Sequence, residues 1–225
     1  MPRTQAKAGA PHHTEIKPDE FEMSRRLEAV RSYVKENMVD RPYHNSYDHV
    51  EDMIGAIERI AYFEGIGPYY KFLLKTAGYL HDLICVPFAT DNEEKTAEAS
   101  ASILLKLGYS KWEIGIVQSL IISTKVPTAP KTRLEEVICD ADTDNLGRED
   151  FLDKNIALRV ELNAEDVLKW LKGTMDFMRS HRYYTNTAKG IRDFGKKQNM
   201  EILQRLIDGM QIVSPFAEVK RGEDT

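Results

Sequence analysis

The sequence is poor in what would mark it as a stapled, membrane-spanning or nucleic-acid-coating protein. It has two cysteines, Cys85 and Cys139, too few for a disulfide framework. No apolar run approaches the roughly 18 residues that a membrane span needs, and the longest candidate, 112–122, is broken by charge. Residues 1–20 contain no apolar core of a secretory leader, so free thiols and a cytoplasmic location are expected. There is no excess of basic charge: 31 Lys and Arg stand against 36 Asp and Glu, a formal net charge of −5. That argues against a nucleic-acid coat or an anionic membrane surface as partner, and leaves room for a local basic pocket. Internal repeats, low-complexity tracts and Gly/Ser linkers are also missing, which favours one domain.

What is present is core-forming material: 225 residues, 42% hydrophobic and 30% charged, enough for one domain with a sizeable core. The apolar positions recur at three- and four-residue steps. Val50, Met53, Ile54, Ile57 and Ile60 form one such stripe, and Phe72, Leu73, Thr76, Ala77 and Leu80 the next. Leu168, Leu171, Met175 and Met178 mark a later helix, and Ile202, Leu203, Leu206, Ile207 and Met210 the last. Asp19 with Glu22, Thr90 with Glu93, Ser110 with Glu113 and Thr132 with Glu135 have the spacing of capping boxes at helix starts. Turn residues break the pattern at Gly65 to Pro68, Pro87, Gly108, Pro127 to Pro130 and Gly147. No alternating strand pattern stands out. The expectation is an all-α domain of about eight to ten helices, spanning residues 19–211, with a mobile N-terminal tail (1–18) and a charged C-terminal tail (212–225).

Within this helical background, His81-Asp82 is an adjacent imidazole and carboxylate at the end of an apolar helix read over 72–83. Burying either group alone would cost several kcal/mol. A divalent metal removes that cost for both, and a hydrogen-bonded core histidine is the bland alternative. His49 falls in the first turn of a helix if Asn45 or Ser46 caps it, where the dipole favours the neutral imidazole that binds metal. The run from Val137 to Gly147 carries Asp140, Asp142 and Asp144 in alternate positions. It lacks the glycine and distal glutamate of an EF-hand, so a helix directing a carboxylate into the core is the better account.

Taken in order, His49, His81-Asp82 and Asp142 resemble the H…HD…D signature of the HD superfamily of metal-dependent phosphohydrolases. Tyr43-His44-Asn45 with His49-Val50 is similar to the YHN…HV opening of a group of predicted HD phosphohydrolases. Asn92-Glu93-Glu94-Lys95-Thr96-Ala97 resembles its NEE-x-SA segment, Asp140-Ala141-Asp142 with Leu146-Gly147 its DAD…LG segment, and Lys197-Gln198-Asn199-Met200 its closing stretch. The likeness runs over about residues 20–210. It implies one divalent ion (Mn, Fe, Co, Ni, Zn or Mg) held by His49, His81, Asp82 and Asp142, with Asp140 the second choice and Asp144 behind it. It implies hydrolysis of a nucleotide or other small phosphomonoester by a metal-activated water. Asp82 would also orient the water, with Glu93 or Glu94 as base and His44 as acid. Lys125, Arg148, Lys95, Arg159 and Lys197 are the candidate phosphate contacts. His181 with Arg182, Tyr183 and Tyr184 could stack on a base or simply pack a helix end.

Three departures refine this reading. His44 and His49 are five apart where similar sequences have four, which on one helix would turn His44 by about 100°. No histidine occurs between His81 and His181, which favours a mononuclear site and disfavours a cyclic-nucleotide phosphodiesterase. Leu83-Ile84-Cys85-Val86 follows the His-Asp pair, where alarmone hydrolases have a Glu-Asp pair. A nucleotide sensor without turnover and a protein with a purely structural metal stand as alternatives to the hydrolase; the oligomeric state stays open.

Overall fold

In a computed structural model of the chain, the described residues are 17–39, 41–43 and 47–219, with the backbone alone for 212–219. They form nine α-helices and one 3-10 turn, and no strand. The helices are α1 (Glu20–Asn37), α2 (Tyr47–Phe63), α3 (Pro68–Leu80), α4 (Asn92–Lys106), α5 (Lys111–Ser123), α6 (Arg133–Asp142), α7 (Phe151–Glu161), α8 (Val167–Ser180) and α9 (Asn186–Val219). The 3-10 turn, Asp144–Gly147, links α6 to α7. The predicted breaks at Pro87, Gly108, Pro127 to Pro130 and Gly147 lie between α-helices, and the one at Gly65 to Pro68 runs into the first residue of α3. The last helix runs on to Val219, beyond the boundary that the sequence places at 211.

Helix α3 is the central strut. It is buried on nearly every side, and it packs against α1, α2, α5 and α6. Its sequence is apolar apart from a strip carrying Lys71 and Lys75, where Lys75 pairs with Glu58; a helix with neighbours on most of its faces requires such a sequence. Pro68 stands in its first turn, where the missing N–H is harmless. Helix α2 buries His49, Val50, Met53, Ile54, Ile57 and Ile60 on one face, the stripe read from the sequence with a histidine at its N-terminal end. In α9 the expected stripe divides: Leu203 and Ile207 are buried, whereas Ile202, Leu206 and Met210 are exposed.

Three of the four expected caps form. Asp19 accepts from the Glu22 amide, and Ser110 with Glu113 and Thr132 with Glu135 form reciprocal boxes. The fourth, Thr90 with Glu93, does not: α4 begins one residue later, with Asp91 at its N-cap and no side-chain cap bond. Asn92, the first residue of α4, is bound to Val86 in the loop that leads into the helix, as described below.

The core has two parts. The larger is built from α1 to α6, with Tyr183 and Ala188 added from the chain that follows α8. The smaller joins Leu146 and Phe151 to Leu171, Met175 and Met178 of α8 and to Leu203 and Ile207 of α9. Asp144 ties the two together: its buried carboxylate accepts from Arg59 of α2 (2.9 Å) and, on both oxygens, from Arg192 of α9 (2.8 Å each).

Candidate metal centre and cleft

Helix α3 ends at Leu80, three residues before the sequence reading places its end, and His81 caps it while still in helical conformation. The break has a consequence for the site. On a continuing helix, neighbouring side chains diverge by about 100°. Leaving the helix after His81 lets Asp82 turn back, so that its Oδ2 lies 2.9 Å from His81 Nε2.

Three elements converge here. His49 comes from the first turn of α2, His81 and Asp82 from the end of α3, and Asp142 from the last residue of α6. His81 Nε2 is 3.4 Å from Asp142 Oδ1. His49 Nε2 is 3.6 Å from Asp82 Oδ2 and 3.8 Å from Asp142 Oδ1. One donor atom from each of His49, His81 and Asp142 lies within 4.8 Å of the others, a set that can hold a metal ion. Both histidines are buried, and their rings are tilted at 57° with centroids 5.4 Å apart.

The donor chemistry fits a divalent cation. His81 Nδ1 lies 2.9 Å from the Gly78 carbonyl oxygen. A carbonyl only accepts, so Nδ1 carries a proton and Nε2 faces the carboxylates as the ring's remaining ligand atom. That Nε2 is buried and makes no well-aligned hydrogen bond. Burial pushes the His81 imidazole towards its neutral form, but the carboxylates of Asp82 and Asp142 outweigh it and hold its pKa well above the usual imidazole range. The cluster therefore calls for positive charge at Nε2, which either a proton or a metal can supply.

The other two aspartates of the acidic run are committed elsewhere. Asp140 is 1% exposed and accepts from the backbone amides of Tyr184 (2.8 Å) and Thr185 (2.7 Å), and Asp144 holds the two arginines described above. Behind His49, the buried Tyr43 ring lies 4.9 Å away, centroid to centroid. Its hydroxyl accepts from Asn145 Nδ2 at 3.2 Å. Burial, then the charges of Asp142 and Asp82, drives the phenol pKa upward, so it remains a neutral group.

The centre opens into a cleft of about 760 Å³ that reaches across to α7 and α8. His49, Asp82, Glu93 and Asp142 stand at one part of its wall, and Phe151, Leu158, Trp170 and Phe177 give it an apolar lining. Asn155 is locked into that wall: it accepts from Trp170 Nε1 at 2.9 Å and donates to Thr174 Oγ1 at 3.1 Å. Glu93, released from the expected capping role, faces this space, whereas Glu94 pairs with Lys125.

None of the five predicted phosphate-binding cations is part of the cleft lining. Lys125 is paired with Glu94, Lys95 with Asp91 at 3.0 Å, and Arg159 donates to the Ala164 carbonyl at 2.9 Å. Lys197 is exposed on α9. Arg148 borders a small recess behind His49 and Asp142, where it binds Asp150 and Asp52. The cations that do line the cleft are Lys154 and Lys169. Lys154 also borders the recess, and its Nζ lies 2.9 Å from Asp52 Oδ2. Nothing in its local sequence marks it; a lysine's role depends on which carboxylates and cavities the fold brings to it. His44, the proposed acid, and its neighbours Asn45 and Ser46 lie outside the described residues.

A second feature not foreseen is a directed hydrogen-bond chain beside Asp142. Lys196, only 9% exposed, places Nζ 2.6 Å from the His181 carbonyl oxygen and 3.0 Å from His181 Nδ1. An ammonium only donates, so Nδ1 accepts and the ring proton sits on Nε2. Nε2 then donates to Thr143 Oγ1 at 3.0 Å, and that hydroxyl donates to the Cys139 carbonyl at 2.9 Å. Burial and the Lys196 charge bring the His181 pKa down to about 4, against a smaller pull from Asp142. His181 is thus neither exposed for stacking nor a simple helix-end filler: it anchors Thr143, which follows Asp142 and lines the cleft.

Among solved structures, the crystal structure of Bacillus subtilis YpgQ in complex with ADP superposes on this chain with a TM-score of 0.61. The match covers 81% of this chain and 97% of that one, at 14% sequence identity. The two share a fold. No family model matches the chain, and no curated protein matches it in sequence. His49, His81 and Asp142 meet in space as an H…HD…D pattern requires. Among the described residues, no helix is long and apolar enough to cross a membrane.

Proposed function

We propose that the protein is a metal-dependent phosphohydrolase acting on a nucleotide or a related small phosphomonoester. The observation that carries this reading is the His49–His81–Asp142 cluster, two buried imidazoles and a half-buried carboxylate, opening directly into a cleft of ligand size. The fold shared with a protein crystallised with ADP supports a nucleotide as the substrate class.

His49, His81, Asp82 and Asp142 would hold one divalent ion, which supplies Lewis acidity towards the phosphoryl group and lowers the pKa of water. The remaining work falls to the protein's own groups. Asp82, whose Oδ2 is within 3.6 Å of both imidazole nitrogens, orients the attacking water. Glu93 faces the cleft and takes the water's proton. Lys154 meets the phosphate: an ammonium has three protons to give, so it can keep Asp52 and still donate to a phosphoryl oxygen. Two imidazoles and two carboxylates around a divalent ion sum to zero charge, which leaves an anionic substrate unopposed.

The test is product release from a panel of nucleotides and phosphomonoesters with Mn²⁺, Mg²⁺ or EDTA, for the wild type and Asp82→Asn. Turnover that needs metal and disappears in the variant is expected. A folded protein that binds metal and nucleotide but turns over no member of the panel would overturn the hydrolase and leave a nucleotide sensor.

A further inference from the structure

The loop between α3 and α4 is held in place by two side-chain clamps from α4. Thr96 Oγ1 accepts from the Ile84 amide at 3.2 Å and donates to the Ile84 carbonyl at 3.1 Å. Two residues on, the Asn92 carboxamide does the same for Val86: Oδ1 accepts from its amide and Nδ2 donates to its carbonyl, both at 3.0 Å. The Ala89 amide closes the turn back onto the Val86 carbonyl at 3.1 Å. These bonds give the loop the pairing that a neighbouring strand would otherwise provide, and they leave it little freedom.

Phe88 sits at the tip of this fixed turn with φ at +64°. That is the left-handed region, which glycine or asparagine enters readily and a bulky aromatic does not. Its ring is 80% exposed, so packing within the chain does not compensate for the strain. Glycine at this position would relax the backbone and remove an exposed aromatic at once. Yet Phe88 lines the cleft, in the same loop that carries Asp82 and next to the helix start that carries Glu93.

We propose that Phe88 is the substrate's aromatic platform: with the phosphate at the metal centre, a nucleobase stacks on the Phe88 ring, and this contact separates nucleoside phosphates from sugar phosphates. The proposal rests on the hydrolase reading for the placement of the phosphate, and it adds the residue that recognises the base. A flat π-face suits such a contact, since bases stack on aromatic side chains with little dependence on identity. The apolar lining that Trp170 and Phe177 supply to the same cleft suits the same moiety.

The test compares wild type, Phe88→Gly and Phe88→Ala in Mn²⁺. Three quantities are measured: thermal unfolding, equilibrium binding of a nucleoside 5′-monophosphate, and KM and kcat for that nucleotide and for ribose 5-phosphate. Phe88→Gly is expected to raise Tm while weakening nucleotide binding and raising its KM about tenfold or more, with kcat little changed. Phe88→Ala weakens binding equally without the same gain in Tm, because alanine keeps the backbone strain. Ribose 5-phosphate kinetics stay within about twofold, since no base is there to lose. Equal changes for both substrates, or unaltered nucleotide binding in both variants, would overturn the platform. So would a wild type that binds no nucleotide, even if it hydrolyses other phosphomonoesters. Binding that depends on Phe88 without turnover of any substrate would instead sink the hydrolase and leave the platform standing.

Discussion

Gly147 and Gly195 meet backbone to backbone where the 3-10 turn crosses α9. A Cβ on Gly195 would lie 3.1 Å from the Gly147 carbonyl carbon and closer still to its oxygen, while one on Gly147 would lie 2.9 Å from Arg192 Cα. The obstacle on each side is main chain, which cannot rotate away. The close approach is also what lets Asn199 Nδ2 donate to the carbonyls of Leu146 (2.9 Å) and Arg148 (2.8 Å). Gly195→Ala is therefore expected to cost about 2–4 kcal/mol, read as a fall in the urea midpoint. Gly190→Ala on the same helix is the control. A methyl group there would meet nothing within 4 Å, so alanine should stabilise by about 0.5–1 kcal/mol. Equal responses from the two variants would refute the crossing.

Asp140 and Asp142 are separated by one residue and by function. Asp140→Asn is expected to weaken the fold by about 1–3 kcal/mol, because a carboxamide has one accepting oxygen for the two amides of Tyr184 and Thr185. It should leave metal affinity within a few fold. Asp142→Asn should do the reverse, removing the charged donor opposite His81 and His49 and lowering metal affinity by about 100-fold or more, with the fold retained. Metal titration calorimetry beside thermal unfolding separates the two. Loss of metal in Asp140→Asn with an intact fold would reassign the ligand.

What could be read in the sequence is what short-range geometry determines. The α2 and α3 stripes follow from helical period, and the Ser110–Glu113 and Thr132–Glu135 boxes from a three-residue spacing. Thr90–Glu93 has the same spacing and fails, because Asn92 and Thr96 are engaged with Ile84 and Val86 across a loop. The resemblance to an NEE-x-SA segment thus acquires a physical content here: its polar residues hold the chain that follows the His-Asp pair. The glycine of the Leu146-Gly147 segment likewise answers to a helix almost fifty residues further on. The cations were the least legible. Lys125 and Lys95 have carboxylate partners on or near the surface, and a single step along α9 separates exposed Lys197 from buried Lys196. Adjacent helical positions point about 100° apart, so residue type alone does not choose between them.

Lys154 and Lys125 give a direct comparison of cleft against surface. Lys154 borders both the cleft and the recess behind the metal ligands, whereas Lys125 is tied to Glu94 outside the lining. For the substrate found in the panel, Lys154→Met is expected to lower kcat/KM by about tenfold or more, the loss of one charge-assisted contact to phosphate. Lys125→Met should stay within about twofold, as exposed ion pairs contribute little. Equal losses would remove Lys154 from the phosphate site.

His181 should make stability fall in mild acid. Its folded pKa of about 4 lies below the ordinary imidazole value of 6.5, so the unfolded chain binds the proton more readily in that interval. The contribution is complete above about pH 6.5 and is lost as pH drops towards 4. Protonation would place a charge on Nδ1, 3.0 Å from the Lys196 ammonium, and remove the hydrogen bond that Nδ1 accepts from it; Asp142 offers only a partial counterweight. The loss is at most about 3–4 kcal/mol and less to the extent that solvent reaches the ring. His181→Gln replaces the imidazole with a group that does not titrate, and should flatten the unfolding free energy between pH 4 and 6.5 relative to wild type. Comparing urea midpoints across that range for the two proteins isolates this histidine from the carboxylates common to both. Parallel curves would mean that His181 titrates alike in the folded and unfolded chain, and that Lys196 does not hold it neutral.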